Sequence, residues 1–344
     1  MDNDAPAGQP QQNPVLRILS VLLRRKEAGI SLALLGLMAL IGLYEPKFRD
    51  SDNLLLVCRQ VAYTAIVSLG VFFVILTSGI DLSIGAIVSL AGVMCGWAMS
   101  TAPPKFLPCL ALAPVLAVFI GLLTGALVGA FNAAIVSYLG VTSFIVTLGA
   151  MGMARGAVLV LTRGETILGI PESFIECGVR NFTFGIPGFK GVPFPVILLL
   201  VVALLAHIVL KYTAFGRRVY AVGGNEEATR LSGINVRRVK FLAYVISGML
   251  ASLTGILYVA RFRSAQANAG LGLELDAIAA AVIGGTSLMG GEGSVLGVLI
   301  GAMVMGVIRN GLVLMDVSSY WQDLIIGAII VLAAILDVWR SKRR

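Results

Sequence analysis

The stretch LTSGIDLSIGA, from Leu76 to Ala86, places one carboxylate, Asp81, inside one of the most apolar parts of the chain. From residue 54 to residue 100, the only charged residues are Arg59 and Asp81. A membrane-spanning helix needs roughly 20 apolar residues. This part of the chain is therefore too long for one span and about right for two, with a turn near Asp81.

The turn gives Asp81 a first explanation. Gly79 permits a sharp bend, and the Asp81 carboxylate can accept free N–H groups in the first turn of the next helix. In lipid those groups have no water to bind. The alternative is that Asp81 acts through its negative charge. The neighbouring Ser83 favours the cap, and we expect some water to reach Asp81 from the cytoplasmic end of its spans.

The composition excludes a soluble domain. Of the 344 residues, 58% are hydrophobic and only 13% are charged, whereas soluble domains are about a quarter charged. We therefore expect an all-α, polytopic integral membrane protein with about ten transmembrane helices. The predicted spans are residues 28–43, 54–77, 82–100, 107–137, 143–161, 192–210, 241–260, 277–288, 293–315 and 318–336.

Lys and Arg predict the orientation of these spans. The formal net charge is +8, but the basic residues cluster at span ends, which argues against a nucleic-acid partner and for contact with membrane lipid. Three clusters lie before the first span, after the last span and in segment 211–240. Because basic residues favour the cytoplasmic side, both termini and segment 211–240 are predicted to be cytoplasmic. Segment 162–191 then lies outside.

The domain organisation follows from the same pattern. Residues 1–27 form a polar, basic cytoplasmic tail that is expected to be disordered. Residues 28–340 form one transmembrane domain, interrupted by cytoplasmic segment 211–240. Residues 341–344 form a basic cytoplasmic C-terminus.

Two glycine series suggest an internal repeat. Each has three glycines four residues apart, and the two series lie 172 residues apart, with five predicted spans from one to the other. The two helices would then run in opposite directions, as in an inverted five-plus-five repeat. The alternative is that glycine is simply common, with 40 copies in the chain. In either case small residues on one face let helices approach closely. The glycines are Gly121, Gly125, Gly129, Gly293, Gly297 and Gly301.

No catalytic constellation is present in the sequence. The chain has one histidine, His207, which excludes a site built on two histidines, and we predict no metal site. No G-x-x-x-x-G-K-[ST] motif occurs, so the chain does not bind ATP through a P-loop. We therefore predict that the chain is not an enzyme.

Charged residues inside spans are costly and usually face a partner or a cavity. Arg309 and Asp323 lie on either side of one outer turn, at similar depth. We predict that they form an ion pair, with a transport role as the alternative. Arg155 is expected to reach the membrane surface, and Glu274 and Asp276 to favour a helix N-terminus electrostatically.

The segment GGNEEATRLSGINVRR, residues 223–238, predicts a short cytoplasmic helix. Asn225 is a good N-cap, and Glu226 lies in the first turn, where the helix dipole favours acids. Gly233 can end the helix in a left-handed conformation. One interpretation is a docking helix for a partner, and the other is an amphipathic loop on lipid. The predicted apolar side is formed by Ala228, Leu231 and Ile234.

Four motifs resemble a known family, the permease subunits of bacterial ABC importers for simple sugars, of the ribose type. They are TSGIDLSIGAIVSLAGV (77–93), FIVTLGAMGMARG (144–156), GRRVYAVGGNEEATRLSGI (216–234) and ELDAIAAAVIGGTSLMGGEGSVLG (274–297). The resemblance runs from about residue 54 to the end of the chain. It does not include the N-terminal tail.

The resemblance implies a function and a set of partners. The chain would be the permease subunit of an importer in the bacterial inner membrane that moves a pentose, hexose or related polyol. Its partners would be a cytoplasmic ABC ATPase, a periplasmic sugar-binding protein and a second permease copy, either identical or paralogous. No cofactor is expected in this chain, because the partner ATPase binds the ATP.

The resemblance also gives the remaining candidates a context. Segment 225–234 would dock on the ATPase. Thr142 and Ser143, in a short cytoplasmic turn, would help to close the inner end of the pathway; the alternative is a pair of helix caps. Asn132 and Asn310 are scattered candidates for contact with the sugar. Such sites combine hydrogen-bonding side chains with aromatic platforms, and these are scarce in the sequence, so strong recognition is expected in the binding protein.

Two other classes of protein compete with this interpretation. An ion-gradient-driven secondary transporter of a small polar solute would work without an ATPase. An integral membrane enzyme would need a catalytic cluster that the sequence lacks.

Overall fold

The computed structural model describes residues 26–183 and 190–342. The predicted tail 1–27 lies almost entirely outside these residues, as do Arg343 and Arg344 of the predicted C-terminus. The described part is mainly helical, with one small antiparallel pair of strands, β1 (Asn181–Phe182) and β2 (Val192–Pro193). The helices are α1 (Lys26–Tyr44), α2 (Ser51–Leu76), α3 (Ile84–Met99), α4 (Pro114–Tyr138), α5 (Ser143–Thr162), α6 (Glu172–Val179), α7 (Phe194–Tyr212), α8 (Ala214–Gly224), α9 (Glu226–Leu231), α10 (Val236–Phe262), α11 (Leu273–Ile283), α12 (Val295–Leu314) and α13 (Ser319–Lys342).

Each of the ten predicted spans overlaps one of these helices. Within the described residues, seven helices are long and apolar enough to cross a membrane by length and composition: α1, α2, α4, α5, α7, α10 and α12. The other three differ. Helix α3 has 16 residues and α11 has 11, whereas α13 has 24.

Local signals explain where the predicted boundaries were wrong. Helix α4 begins at Pro114 rather than at residue 107, because prolines suit the first turn of a helix and interrupt one elsewhere. Helix α10 begins at Val236, five residues before the apolar run, since the Asn235 side chain accepts a hydrogen bond from the Arg238 amide. Helix α11 ends at Ile283, before Gly285 with its positive φ of 86°.

Helices α2 and α10 form the centre of the fold. They pack against each other, and α10 also contacts α3 and α4 while α2 contacts α11 and α12. Phe72 of α2 and Tyr244 of α10 are fully buried. Large apolar side chains of α4 and α5, such as Val115 and Val160, point outward, as expected where lipid replaces water.

Both glycine series lie at close helix contacts. On α4, a Cβ at Gly125 or Gly129 would collide with backbone carbonyls of α10, and at Gly121 it would crowd the Ile256 side chain. On α12, a Cβ at Gly301 would collide with the Ala280 carbonyl of α11, and a Cβ at Gly297 with the carbonyl of Gly284, directly after α11. Gly293, in the preceding loop, lies against Phe72 and Thr286. Two helix pairs therefore approach along glycine faces.

Candidate functional site

The segment between α7 and α10 contains two short helices, α8 and α9. The Asn225 side chain caps α9 by accepting a hydrogen bond from the Ala228 amide at 2.9 Å. Glu226 and Glu227 occupy the first turn of α9, and Gly233 follows the helix with a positive φ of 79°. A polar cap and a left-handed glycine therefore define this helix at its two ends.

Helix α9 is fixed to the rest of the protein by polar contacts, and its predicted apolar side is largely uncovered. The buried Thr229 hydroxyl donates to the carbonyls of Ala221 and Asn225. Lys240 of α10 forms an ion pair of 2.6 Å with Glu226. Leu231 is 78% exposed. Ala228 is also exposed, and Ile234 is half-buried. The leucine is therefore free to contact another protein.

Helix α8 meets the end of α2 and the loop before α12 by direct backbone contact. A Cβ at Gly223 would collide with the Leu76 carbonyl and the Gly291 amide. The Ser78 hydroxyl donates to the carbonyls of Gly223 and Met289. A displacement of α8 would therefore act directly on the end of α2 and on the loop before α12.

The structure corrects the predicted role of Asp81. The cap position of α3 is occupied by Ser83, which makes no side-chain capping bond. The Asp81 carboxylate lies two residues earlier and accepts from the Ser83 amide (3.0 Å), the Ser83 hydroxyl (2.6 Å) and the Ser247 hydroxyl of α10 (2.8 Å). Asp81 is 0% exposed, so the expectation that water reaches it was also wrong. Its role is to tie the turn before α3 to α10.

Asn132 of α4 joins the same cluster. Its amide donates to the Ser83 hydroxyl at 2.8 Å, and its Oδ1 atom is buried without a hydrogen bond to a described residue. Asn132 thus holds the turn before α3 rather than lining an open cavity. Asn310, the other predicted amide, forms two reciprocal hydrogen bonds with Asn53, of 2.8 and 3.1 Å, linking α12 to the start of α2.

Thr142 and Ser143 border a cavity of about 500 Å³ that also reaches α9. Thr142 makes no capping bond with its side chain, and the Ser143 hydroxyl accepts from the Ile80 amide at 3.2 Å. Glu226 and Arg230 also line the cavity. The cavity therefore connects the α4–α5 turn, the Asp81 turn and α9.

The predicted pair of Arg309 with Asp323 is wrong. Arg309 of α12 instead binds both carboxylate oxygens of Asp276 in α11, at 2.8 and 2.9 Å. Asp323 is exposed. Asp276 lies in the first turn of α11, where the helix dipole also favours a carboxylate.

A second ion pair holds the other side of α11. Arg155 of α5 binds Glu274 at 2.9 Å, and the Glu274 side chain is only 10% exposed. The sequence pattern missed both pairs, although it offered one signal. That signal was that Arg155 and Arg309 lie inside predicted spans, while Glu274 and Asp276 precede the shortest predicted span.

No group of three His, Cys, Asp or Glu side chains in the described part of the chain could hold a metal ion. The absence of a metal and of a cofactor in this chain stays a prediction.

Comparisons with known proteins identify the family. A family model described as "Branched-chain amino acid transport system / permease component" matches residues 53–334. The ribose import permease protein RbsC of Escherichia coli (strain K12) is 44% identical over 306 residues, covering 89% of this chain and 92% of that protein. The chain belongs to the ribose-type ABC permease family. Members of this family are transport subunits rather than enzymes.

Other relatives support the same assignment. The ribose import permease protein RbsC of Bacillus subtilis (strain 168) is 39% identical over 317 residues, covering 92% of this chain and 94% of that protein. The D-allose transport system permease protein AlsC of E. coli (strain K12) is 36% identical over 307 residues, covering 89% and 90%. No solved structure matches the chain significantly.

Proposed function

We propose that this chain is the membrane-spanning subunit of an ATP-driven importer for a simple sugar in the bacterial inner membrane. The similarity to two ribose permeases and an allose permease along nine-tenths of the chain carries this proposal. A periplasmic binding protein delivers the sugar, and a separate cytoplasmic ATPase binds ATP. The substrate is tested by measuring the binding of D-ribose and D-allose to that binding protein. The sugar that binds is the one that the importer moves.

Helix α9 is the docking element for the ATPase. Its exposed leucine, Leu231, supports this role, because the described part of the chain leaves the leucine uncovered. Leu231→Glu puts a charge into the docking surface, so we expect the protein to insert normally and uptake to fall to background. Leu231→Met keeps the surface apolar and serves as the matched control. Normal uptake by Leu231→Glu contradicts this role for α9.

The permease has ten spans with both termini in the cytoplasm. Helices α3, α11 and α13 are the three spans in addition to the seven found by length and composition. The clusters of basic residues support the orientation. In a variant without native cysteines, we expect impermeant reagents added outside to label Glu172→Cys and Leu110→Cys but not Ala228→Cys or Met289→Cys. All four positions are exposed. The opposite labelling pattern overturns the topology.

An inverted five-plus-five repeat accounts for the packing. Helices α1–α5 form one half, and α7 with α10–α13 form the other. The central helices, α2 and α10, have 26 and 27 residues. Each packs against the short helix and the glycine-faced helix of the opposite half: α2 on α11 and α12, α10 on α3 and α4. This exchange of partners is what an inverted repeat produces.

The functional permease contains two copies, identical or paralogous, with Thr142 and Ser143 near the inner end of the pathway. Along α5, which follows this turn, a Cβ added at Gly149, Gly152 or Gly156 would meet only open space, and small residues favour close helix approach. Thr142→Cys is therefore expected to cross-link to its counterpart in the second copy. If Thr142→Cys does not cross-link in the assembled transporter, Thr142 and Ser143 do not close the inner end of the pathway.

A further inference from the structure

A second cavity, of about 240 Å³, lies between α2, α10, α11 and α12. Arg261 and Phe262, the last two residues of α10, border it, as does Arg309 near the end of α12. In the proposed orientation both of these helix ends point toward the outside. The cavity is therefore placed on the side from which a binding protein delivers sugar.

The cavity contains hydrogen-bonding groups that the protein does not use. Gln60 and Thr64 lie one turn apart on α2, and both line the cavity together with Tyr258 of α10. Their side chains make no hydrogen bond with any described residue. At membrane depth unpaired polar groups are costly and mark functional positions. These three groups are available to a ligand.

Aromatic rings form one wall of the same cavity. The Tyr63 and Tyr258 rings pack edge to face with centroids 5.1 Å apart, and Phe262 lies 5.4 Å beyond Tyr258. The Arg261 guanidinium lies 5.1 Å above the Tyr63 ring. Aromatic surfaces combined with a few directed polar groups are typical of sites for small molecules.

The charges at the cavity favour a neutral ligand over an anion. Asp276 contributes a carboxylate to the wall and is bound by Arg309. Arg261 is engaged with aromatic rings. A free phosphate or a lipid headgroup would meet the Asp276 carboxylate, whereas hydroxyl groups can bind either member of the ion pair.

We infer that this cavity is a binding site of the permease itself for a single sugar ring. Its volume is below the roughly 300–1,000 Å³ of sites for drug-sized ligands, which suits one pentose or hexose. A transport site must release what it binds, so the affinity is low compared with that of a binding protein. The inference rests on the proposed function, because only a sugar transporter presents such a ligand to the cavity.

Binding is tested on the permease–ATPase complex in lipid nanodiscs without the binding protein. The probe is D-ribose, D-allose or whichever sugar the wild type imports, and saturation-transfer NMR reports contact. We expect a signal in the wild type and its loss in Thr64→Val and Gln60→Leu, which remove hydrogen-bonding groups at nearly constant size. Thr124→Val, a matched change on α4, retains the signal. No wild-type signal, an unchanged signal in both cavity variants, or displacement of the sugar by inorganic phosphate overturns the site.

Uptake separates failure of the site from failure of the proposed function. In cells with a saturating amount of binding protein, we expect Thr64→Val and Gln60→Leu to lower sugar uptake at least fivefold, while the control Thr124→Val imports at the wild-type rate. If the wild type imports the sugar and both variants import it normally, only the binding site is rejected. A wild type that imports no sugar rejects the proposed function, and the site with it.

Discussion

Two short helices that pack on the central pair, α3 and α11, both begin beside buried carboxylates, but the protein stabilises those carboxylates differently. Before α3, the Asp81 carboxylate is surrounded by an amide and two hydroxyl groups and forms no ion pair with a described residue. At the start of α11, Glu274 and Asp276 each bind an arginine from another helix.

The difference shows what each carboxylate connects. Hydroxyl groups bind Asp81 to its own turn and to α10, and two of its three hydrogen bonds come from Ser83, two residues away. The ion pairs instead connect α11 to α5 and α12. Removing one partner of a buried ion pair leaves an uncompensated charge, whereas a hydroxyl network can rearrange. Substitutions at the start of α11 are therefore expected to destabilise the protein more than substitutions around Asp81.

The largest effect is expected at Arg309. Arg309→Met leaves the Asp276 carboxylate, which is 13% exposed at the side chain, without its cation. Breaking such a pair costs about 3–5 kcal/mol, so the detergent-solubilised protein should melt at a clearly lower temperature.

The control for Arg309→Met is the double variant Asp276→Leu with Arg309→Met. Apolar replacement of both partners is often neutral, so most of the lost stability should return. A double variant that is no more stable than Arg309→Met would show that the ion pair does not explain the loss.

A smaller effect is expected at Ser247. Ser247→Ala removes one of the three hydrogen bonds to the Asp81 carboxylate, and a hydrogen bond to a charged group contributes about 1.5–3 kcal/mol. Thermal melting should show a loss below that of Arg309→Met. Ser252→Ala, one turn further along α10 and bonded to its own helix, is the control. Equal melting temperatures for the two alanine variants would show that the hydrogen bond from Ser247 to Asp81 does not stabilise the protein.

The smallest effect is expected at Asp81 itself. In Asp81→Asn, the amide oxygen still accepts from Ser83, and the amide nitrogen can donate to the Ser247 hydroxyl, so we expect a loss of about 1 kcal/mol with most uptake retained. The measurement is sugar uptake normalised to folded protein. If Asp81→Asn folds normally and abolishes uptake, the negative charge itself is functional.

Periodic and local signals predicted much of this fold. Each span predicted from hydropathy overlaps a helix in the described part of the chain, and the Asn225 cap with Gly233 located α9. Contacts distant in sequence were not predictable in this way. The partner of Arg309 lies 33 residues away and that of Arg155 lies 119 residues away. Asp81 shows the limit most clearly, because its neighbours suggested a cap, whereas Ser247, 166 residues later, completes its site.

The central claim is that this permease imports a sugar only when a separate ATPase drives it. The most direct measurement uses proteoliposomes that contain the purified permease and ATPase, with the sugar-loaded binding protein outside. ATP inside should drive sugar accumulation, and omission of the ATPase, the ATP or the binding protein should each abolish it. Accumulation by the permease alone, driven by a proton or sodium gradient, would contradict the account and identify a secondary transporter instead.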